Sequence, residues 1–304
     1  MPKLHLYGLG LGIVGATLLG SCTKKEVINE TTHTNIVVED NSPPDYRGVT
    51  TVAIQSYINR LFVDLLGYEP TAAQLANYTA SLKNNTLDSA SRAAMLNDIL
   101  GQADYYDFFD ERYMGLYLNG YDSARIAQDI ANLQAAQQNA YAGGNTQLAQ
   151  LFGYEISKMQ RLANAKQQYA ARQIGINAYM AALIHNYAYD EINMGSLNFV
   201  FACFENLLKR QPSQQEQTAG VAMVNGNSAH LFLRDGLSKG DFVDIITTSA
   251  GFYEGLVIDC YRQLLARMPS SAEMGTWTIA LQNGSKSYQD LQRALAITDE
   301  YAGF

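Results

Sequence analysis

Histidine, cysteine, tryptophan and proline are scarce in this chain, at 4, 3, 1 and 6 residues in 304. The few imidazoles and thiols form no H-E-x-x-H, C-x-x-C or C-x-x-C-H, and no Walker-type loop is present. Zinc hydrolysis, covalent haem and P-loop nucleotide chemistry lose their usual ligand sets, so neither a metal nor a cofactor is expected. Glycine and proline are also sparse inside the apolar-periodic stretches, and strand-like alternation is nearly absent, which predicts an all-α fold. Positive charge is in short supply. With 21 basic against 29 acidic residues the chain carries −8, and removal of residues 1–21, which contain Lys3, leaves −9. Such a surface argues against nucleic acid, whose phosphates demand clustered Lys and Arg. Beyond residue 21 no apolar run approaches the ~20 residues a bilayer span needs.

What is present begins with an address. Residues 1–21 have a basic start, an apolar run from Leu4 to Leu19, and then Leu19-Gly20-Ser21-Cys22. That tetrapeptide resembles the lipobox of bacterial lipoproteins, which implies cleavage before Cys22, acylation of its thiol and new amine, and a place in the bacterial cell envelope, on the outer membrane. The competing reading is a plain secretory signal or a short membrane helix with a chance cysteine. The glycine string Gly8-x-Gly10-x-Gly12 lies inside the removed segment and makes no nucleotide loop. Residues 22–50, rich in Asn, Thr, Glu and Asp with a Pro43-Pro44 pair, read as a disordered tether.

One pattern is written three times in the remaining chain. Ile58, Leu61, Phe62, Leu65 and Leu66 precede Pro70; Val200, Cys203, Phe204, Leu207 and Leu208 precede Pro212; Val257, Cys260, Tyr261, Leu264 and Leu265 precede Pro269. Each set falls at i, i+3, i+4, i+7, i+8, one face of a helix that the proline then ends. Thr71, Ser213 and Ser270 are placed to cap the next helix, with Gln74, Glu216 and Glu273 completing capping boxes three residues on. A third helix is expected to close each unit at Leu100-x-x-x-Asp104, Leu237-x-x-x-Asp241 and Leu295-x-x-x-Asp299. The expected architecture is three related three-helix units, at 51–121 (with an extension), 196–253 and 254–304, interrupted by an insertion at 122–195.

The third copy, Tyr261-Arg262-Gln263-Leu264-Leu265-Ala266-Arg267-Met268-Pro269 followed by Trp277, is similar to a domain of unknown function found in secreted bacterial proteins, with the hallmark L-Y-R-x-L-L-G-R-x-P. Ala266 and Glu273 stand where that family has glycine, so a glycine-dependent turn there is in question. The first copy also resembles a helical domain found beside cytochrome c modules, though this chain lacks the haem motif. Neither resemblance implies catalytic residues.

Within the insertion, Ile126, Ile130, Leu133 and Ala140 keep helical spacing until Gly143-Gly144, and Leu148, Leu151, Phe152, Met159 and Leu162 resume it. This reads as a helical hairpin rich in Gln, Asn and Ala, either folded back as scaffold, the favoured reading, or projecting toward a partner. Tyr106, Phe109, Tyr113 and Tyr117 form a helical stripe, more often core but able to stack on a sugar, so Tyr106, Tyr113 and Tyr117 are weak binding candidates. Asp104, Asp107, Asp110 and Glu111 offer oxygen ligands for calcium but sit on helix turns without a wrapping loop, and a solvated face is favoured. Cys203 and Cys260 occupy the slot that holds Leu61 in the first copy, which favours buried free thiols over a disulfide, and a zinc site with His230 has no usual spacing. Asp88-Ser89-Ala90 and Asp122-Ser123-Ala124 resemble the O-glycosylation acceptor of Bacteroidota. The expected function is non-enzymatic binding or assembly at a lipid anchor, with a protein or an envelope glycan as partner; the alternative is a glycan hydrolase using carboxylates from different units.

Overall fold

Helix boundaries in this chain are set by short polar side chains placed just ahead of apolar-periodic runs. In a computed structural model that describes residues 46–304, Thr50 caps α1 (Thr51–Leu66), Thr71 caps α2 (Ala72–Asn84) and Asp88 caps α3 (Ser89–Leu100), each accepting from a first-turn amide. Next come α4 (Ala103–Leu118), the paired α5 (Ser123–Ala142) and α6 (Thr146–Ala170), and then α7 (Ile176–Ile184) and α8 (Tyr187–Ile192). The chain continues through α9 (Ser196–Cys203), a π-helical turn Phe204–Leu208, α10 (Gln214–Val224), a hairpin of β1 (Ala229–Leu231) and β2 (Arg234–Gly236), and α11 (Lys239–Thr247). It ends with α12 (Ala250–Leu265), α13 (Ser271–Gln282), α14 (Tyr288–Ala296) and α15 (Asp299–Ala302). The fold is all-α. Cys22, His33, the signal segment and the tether as far as residue 45 lie outside the described residues. The last tether residues belong to the folded body, because Tyr46 donates to Asp299 at 2.9 Å and its ring meets Phe304 edge-on.

All three expected capping boxes are formed, by Thr71 with Gln74, Ser213 with Glu216 and Ser270 with Glu273. In the second and third segments an arginine clasps the boxing glutamate with two bonds: Arg210 to Glu216 at 2.6 and 2.8 Å, and Arg267 to Glu273 at 2.9 and 3.0 Å. These bonds, with the Ser213 and Ser270 amides, hold both glutamates down to about 2. Their folded-state values are depressed, so the stability they contribute is present above about pH 4.5 and is lost as pH falls toward 2. Ser270→Ala and Ser213→Ala are each expected to cost ~0.5–2 kcal/mol, read as a lower urea midpoint.

The turn ahead of the second and third prolines forms without glycine. Gly67, Lys209 and Ala266, in matching places ahead of the three prolines, all adopt left-handed backbone at φ 79°, 56° and 53°. Cβ crowding penalises the two non-glycine residues, so Ala266→Gly should raise stability by ~1 kcal/mol in chemical denaturation.

Two sequence expectations need correction. Leu237 does not close a helix: it follows β2, stays 59% exposed, and Asp241 instead boxes the start of α11 with Ser238. The β-hairpin displaces the register, and the matching junction is Thr247 to Ser249, where α11 passes into α12 through two residues, as α3 passes into α4 and α14 into α15. Tyr105, Phe252 and Tyr301 enter the core three residues past these junctions. Consequently the boundary drawn at 253/254 falls inside α12, whose first turns follow the second unit and whose remainder opens the third.

The hairpin is half scaffold. On α6 the buried residues run mainly from Ile156 through Lys158, Met159 and Leu162 to Ala165 and pack toward α4 and α7, whereas α5 buries only Ile126 and Ala140 and lies along α6. Leu148, Leu151 and Tyr154 stay at least 38% exposed. Elsewhere α1 packs on α15 and α3 on α14, bringing the first and third segments together.

Candidate functional site

A cleft of about 830 Å³ lies where the insertion meets the third segment. One lining stretch is Tyr169–Asn177, the end of α6, its linker and the start of α7; the other is Leu281–Arg293, from α13 through the turn into α14. Tyr106 from α4 and Tyr253 from α12 complete it. The turn is built by local hydrogen bonds: Gly284 takes φ 72°, the Ser285 amide donates to Asn283 Oδ1 at 2.9 Å, and the Lys286 amide reaches back to the Ala280 carbonyl at 3.1 Å. This conformation leaves Gln282, Asn283, Ser285 and Lys286 exposed along the lining.

Charge in the cleft runs against that of the chain. Arg172, Lys286 and Arg293 line it with a single carboxylate, Asp290. Asp290 is already engaged, accepting from the Ser287 amide and hydroxyl at 2.8 Å and from Arg293 at 2.7 Å. Burial pushes its carboxyl up, but those bonds outweigh it and hold the group below its ordinary value. Arg172 and Lys286 have no side-chain partner among the described residues.

Of the tyrosines proposed for sugar stacking, only Tyr106 reaches this cleft, half-buried, with its hydroxyl accepting from Gln289 at 3.1 Å. Tyr113 and Tyr117 are core residues, 2% and 5% exposed, and are withdrawn as binding candidates. The reason is position: α4 is wrapped by α1, α6, α7 and α8, which close over Tyr113 and Tyr117 and leave only Tyr106, near the start of the helix, at the cleft. Phe109 stacks there between Tyr105 and Tyr169. Tyr253, in contrast, was not singled out in the sequence. It belongs to the same helix as Cys260 and lines the cleft only because the insertion packs nearby.

The other candidate chemistry resolves into structure. Asp104 accepts from Tyr68, Asp107 pairs with Lys166 and Asp110 accepts from Tyr179, at 2.7, 2.8 and 2.8 Å, so the three aspartates each have a partner of their own, while Glu111 is exposed. No group of three metal-ligating side chains occurs among the described residues. Cys203 and Cys260 are buried free thiols, and burial pushes both well above the ordinary thiol value. Asp88 and Asp122 of the two Asp-Ser-Ala triplets are the N-caps of α3 and α5.

Gly236-Leu237-Ser238-Lys239-Gly240 has the G-x-S-x-G spacing of a nucleophile elbow. Here the serine is an N-cap: its Oγ accepts from the Asp241 amide at 3.1 Å, and its backbone is extended at φ −136° without strain. The nearby His185 meets Tyr154 Oη at 3.3 Å and no carboxylate. Burial, with Lys158, Arg161 and Lys239 around it, pushes that imidazole down to about 3, leaving a poor base at neutral pH.

A second cleft of about 300 Å³ beside His185 has Asp244 as its one acid, already paired with Arg234, and a third, about 520 Å³ beside the β-hairpin, has none. The chain was compared with family models, curated proteins and solved structures, and none matches it.

Proposed function

We propose that this is a non-enzymatic, lipid-anchored protein of the bacterial cell envelope, attached to the outer membrane, that binds an envelope glycan in the cleft between Tyr169–Asn177 and Leu281–Arg293. The observation that carries this reading is the lining: open side chains of Gln, Asn, Ser, Arg and Lys beside tyrosines, with one carboxylate that is already bonded. Glycoside hydrolysis calls for two carboxylates ~5–10 Å apart, one of them protonated. Asp290 stands alone in the cleft and is held ionised, so the lining favours holding a polyol over cleaving it. Tyrosine faces suit the apolar side of a sugar ring, and amides suit its hydroxyl pairs.

The test is cosedimentation of the purified protein with isolated envelope polysaccharide, together with an assay for new reducing ends. Retention without cleavage is expected; release of reducing ends would establish the hydrolase instead, and absence of retention would remove the binding role.

The anchor is proposed on Leu19-Gly20-Ser21-Cys22 and on the absence, among the described residues, of any helix long and apolar enough to cross a membrane. Two or three acyl chains give stable attachment where one is marginal. Cys22→Ala is expected to abolish labelling by radioactive palmitate and to shift the protein out of the membrane fraction or leave it unprocessed. Normal labelling of the variant would refute the anchor.

A further inference from the structure

We infer that the ligand of this cleft is an anionic saccharide, its acid group seated against Arg172, Lys286 and the start of α7. The inference rests on the binding role proposed above and adds the charge of the ligand.

Three independent features converge. In a chain of net charge −8, this cleft collects three cations and one acid. Arg293 and Asp290 neutralise each other at 2.7 Å, so the balance is carried by Arg172 and Lys286, one from each lining stretch. Neither side chain has a partner among the described residues. An exposed ion pair contributes little, but two cations focused in one concavity raise the local concentration of an anion and bind it in a salt-dependent way.

The two helices that begin at the cleft also differ. The first turn of α14 is closed by its own acid, Asp290, in a capping box with Ser287. The first turn of α7 starts from Gly175 with no side-chain cap, although the cleft is lined there by Gly175, Ile176 and Asn177. Helix amides left without a cap, at the positive end of the dipole, attract a carboxylate or phosphate. One helix start thus carries a resident carboxylate, and the other is open for a ligand to supply one.

The remaining lining decides between an acidic sugar and an acidic peptide. Tyr106 and Tyr253 supply aromatic surface, and Gln173, Asn177 and Gln282 supply amide groups able both to donate and to accept, the pairing that vicinal hydroxyls require. A polyglutamate strand has no hydroxyls to satisfy them.

Calorimetric titration of the full chain in detergent micelles, with trigalacturonate, a neutral galactose trisaccharide and triglutamate as probes, tests the inference. Trigalacturonate is expected to bind at least tenfold more tightly than either control, and to weaken as salt rises. Arg172→Gln and Lys286→Gln, both on exposed side chains, are each expected to lower that affinity about tenfold, while Lys83→Gln, outside the cleft, leaves it unchanged. Equal binding of the neutral sugar would overturn the charge requirement and leave the glycan-binding role standing. Equal binding of triglutamate would overturn the saccharide. Failure of both sugars to bind would overturn the inference and the role together.

Discussion

Gly255→Ala is expected to lower stability by ~3 kcal/mol or more, a large fraction of the ~5–15 kcal/mol that holds a domain folded. Gly255 lies on the buried face of α12 where that helix crosses the π-helical turn Phe204–Leu208. A Cβ added there would overlap the Leu207 carbonyl oxygen, and would sit 3.0 Å from the Leu207 carbonyl carbon and 3.3 Å from Leu208 Cα. All three are backbone atoms, which cannot rotate aside as a side chain could, so relief requires the two helices to separate. Separation would unpack Cys203, Phe204, Leu207 and Val257, each at most 3% exposed. Gly275 on α13 is the internal control. Its Cβ would meet nothing within 4 Å, so Gly275→Ala should stabilise by up to ~1 kcal/mol through helix propensity. Urea denaturation of the two variants is expected to give opposite signs. A mild loss at Gly255 would mean that the crossing is looser than the structure has it.

That contact also marks where the sequence stops being legible. The helices, their caps and the apolar faces of Ile58 to Leu66 and Val257 to Leu264 could be read because each depends on residues within eight positions of one another. The boxes at Thr71, Ser213 and Ser270 are the clearest case, two bonds closed inside four residues. The π-turn could not be read, since Phe204 to Leu208 keep the same apolar spacing as their α-helical counterparts. The β-hairpin was missed for a different reason. Its two-residue turn is Phe232-Leu233 at φ 50° and 62°, where Asn-Gly is the expected signal, and its strands are three residues long. Reading Leu237 as a helix end followed directly from that omission. The cleft lay further out of reach: Arg172 and Lys286 are 114 positions apart, and only the packing of the insertion beside the third segment makes them neighbours in one site.

Asp299→Asn, a change at a partly exposed side chain, is expected to cost more than Arg92→Met, a change at a buried one. Arg92 on α3 is 1% exposed, and its guanidinium bonds Asp299 at 2.8 Å and Tyr46 at 2.9 Å while facing the rings of Tyr46 and Phe304. The Asp299 side chain, on α15, keeps 40% of its surface in water. Breaking such a pair is costly on the side that leaves a buried charge without compensation, and here the buried charge is the arginine. Losing the carboxylate strands a cation whose Nη1 already has no hydrogen-bond partner, at a cost of ~3 kcal/mol. Losing the guanidinium instead leaves an aspartate that water can reach, and methionine refills much of the apolar volume beside the aromatic rings, so that variant is expected to lose about half as much. The double variant Arg92→Met/Asp299→Asn should then be more stable than Asp299→Asn alone, because removing the arginine removes the stranded charge. Denaturation midpoints for the three variants close a double-mutant cycle. The same pair joins the first described residues to α15, so proteolysis should cut near Tyr46 faster in Asp299→Asn than in Arg92→Met, and the reverse order would place the energetic burden on the aspartate.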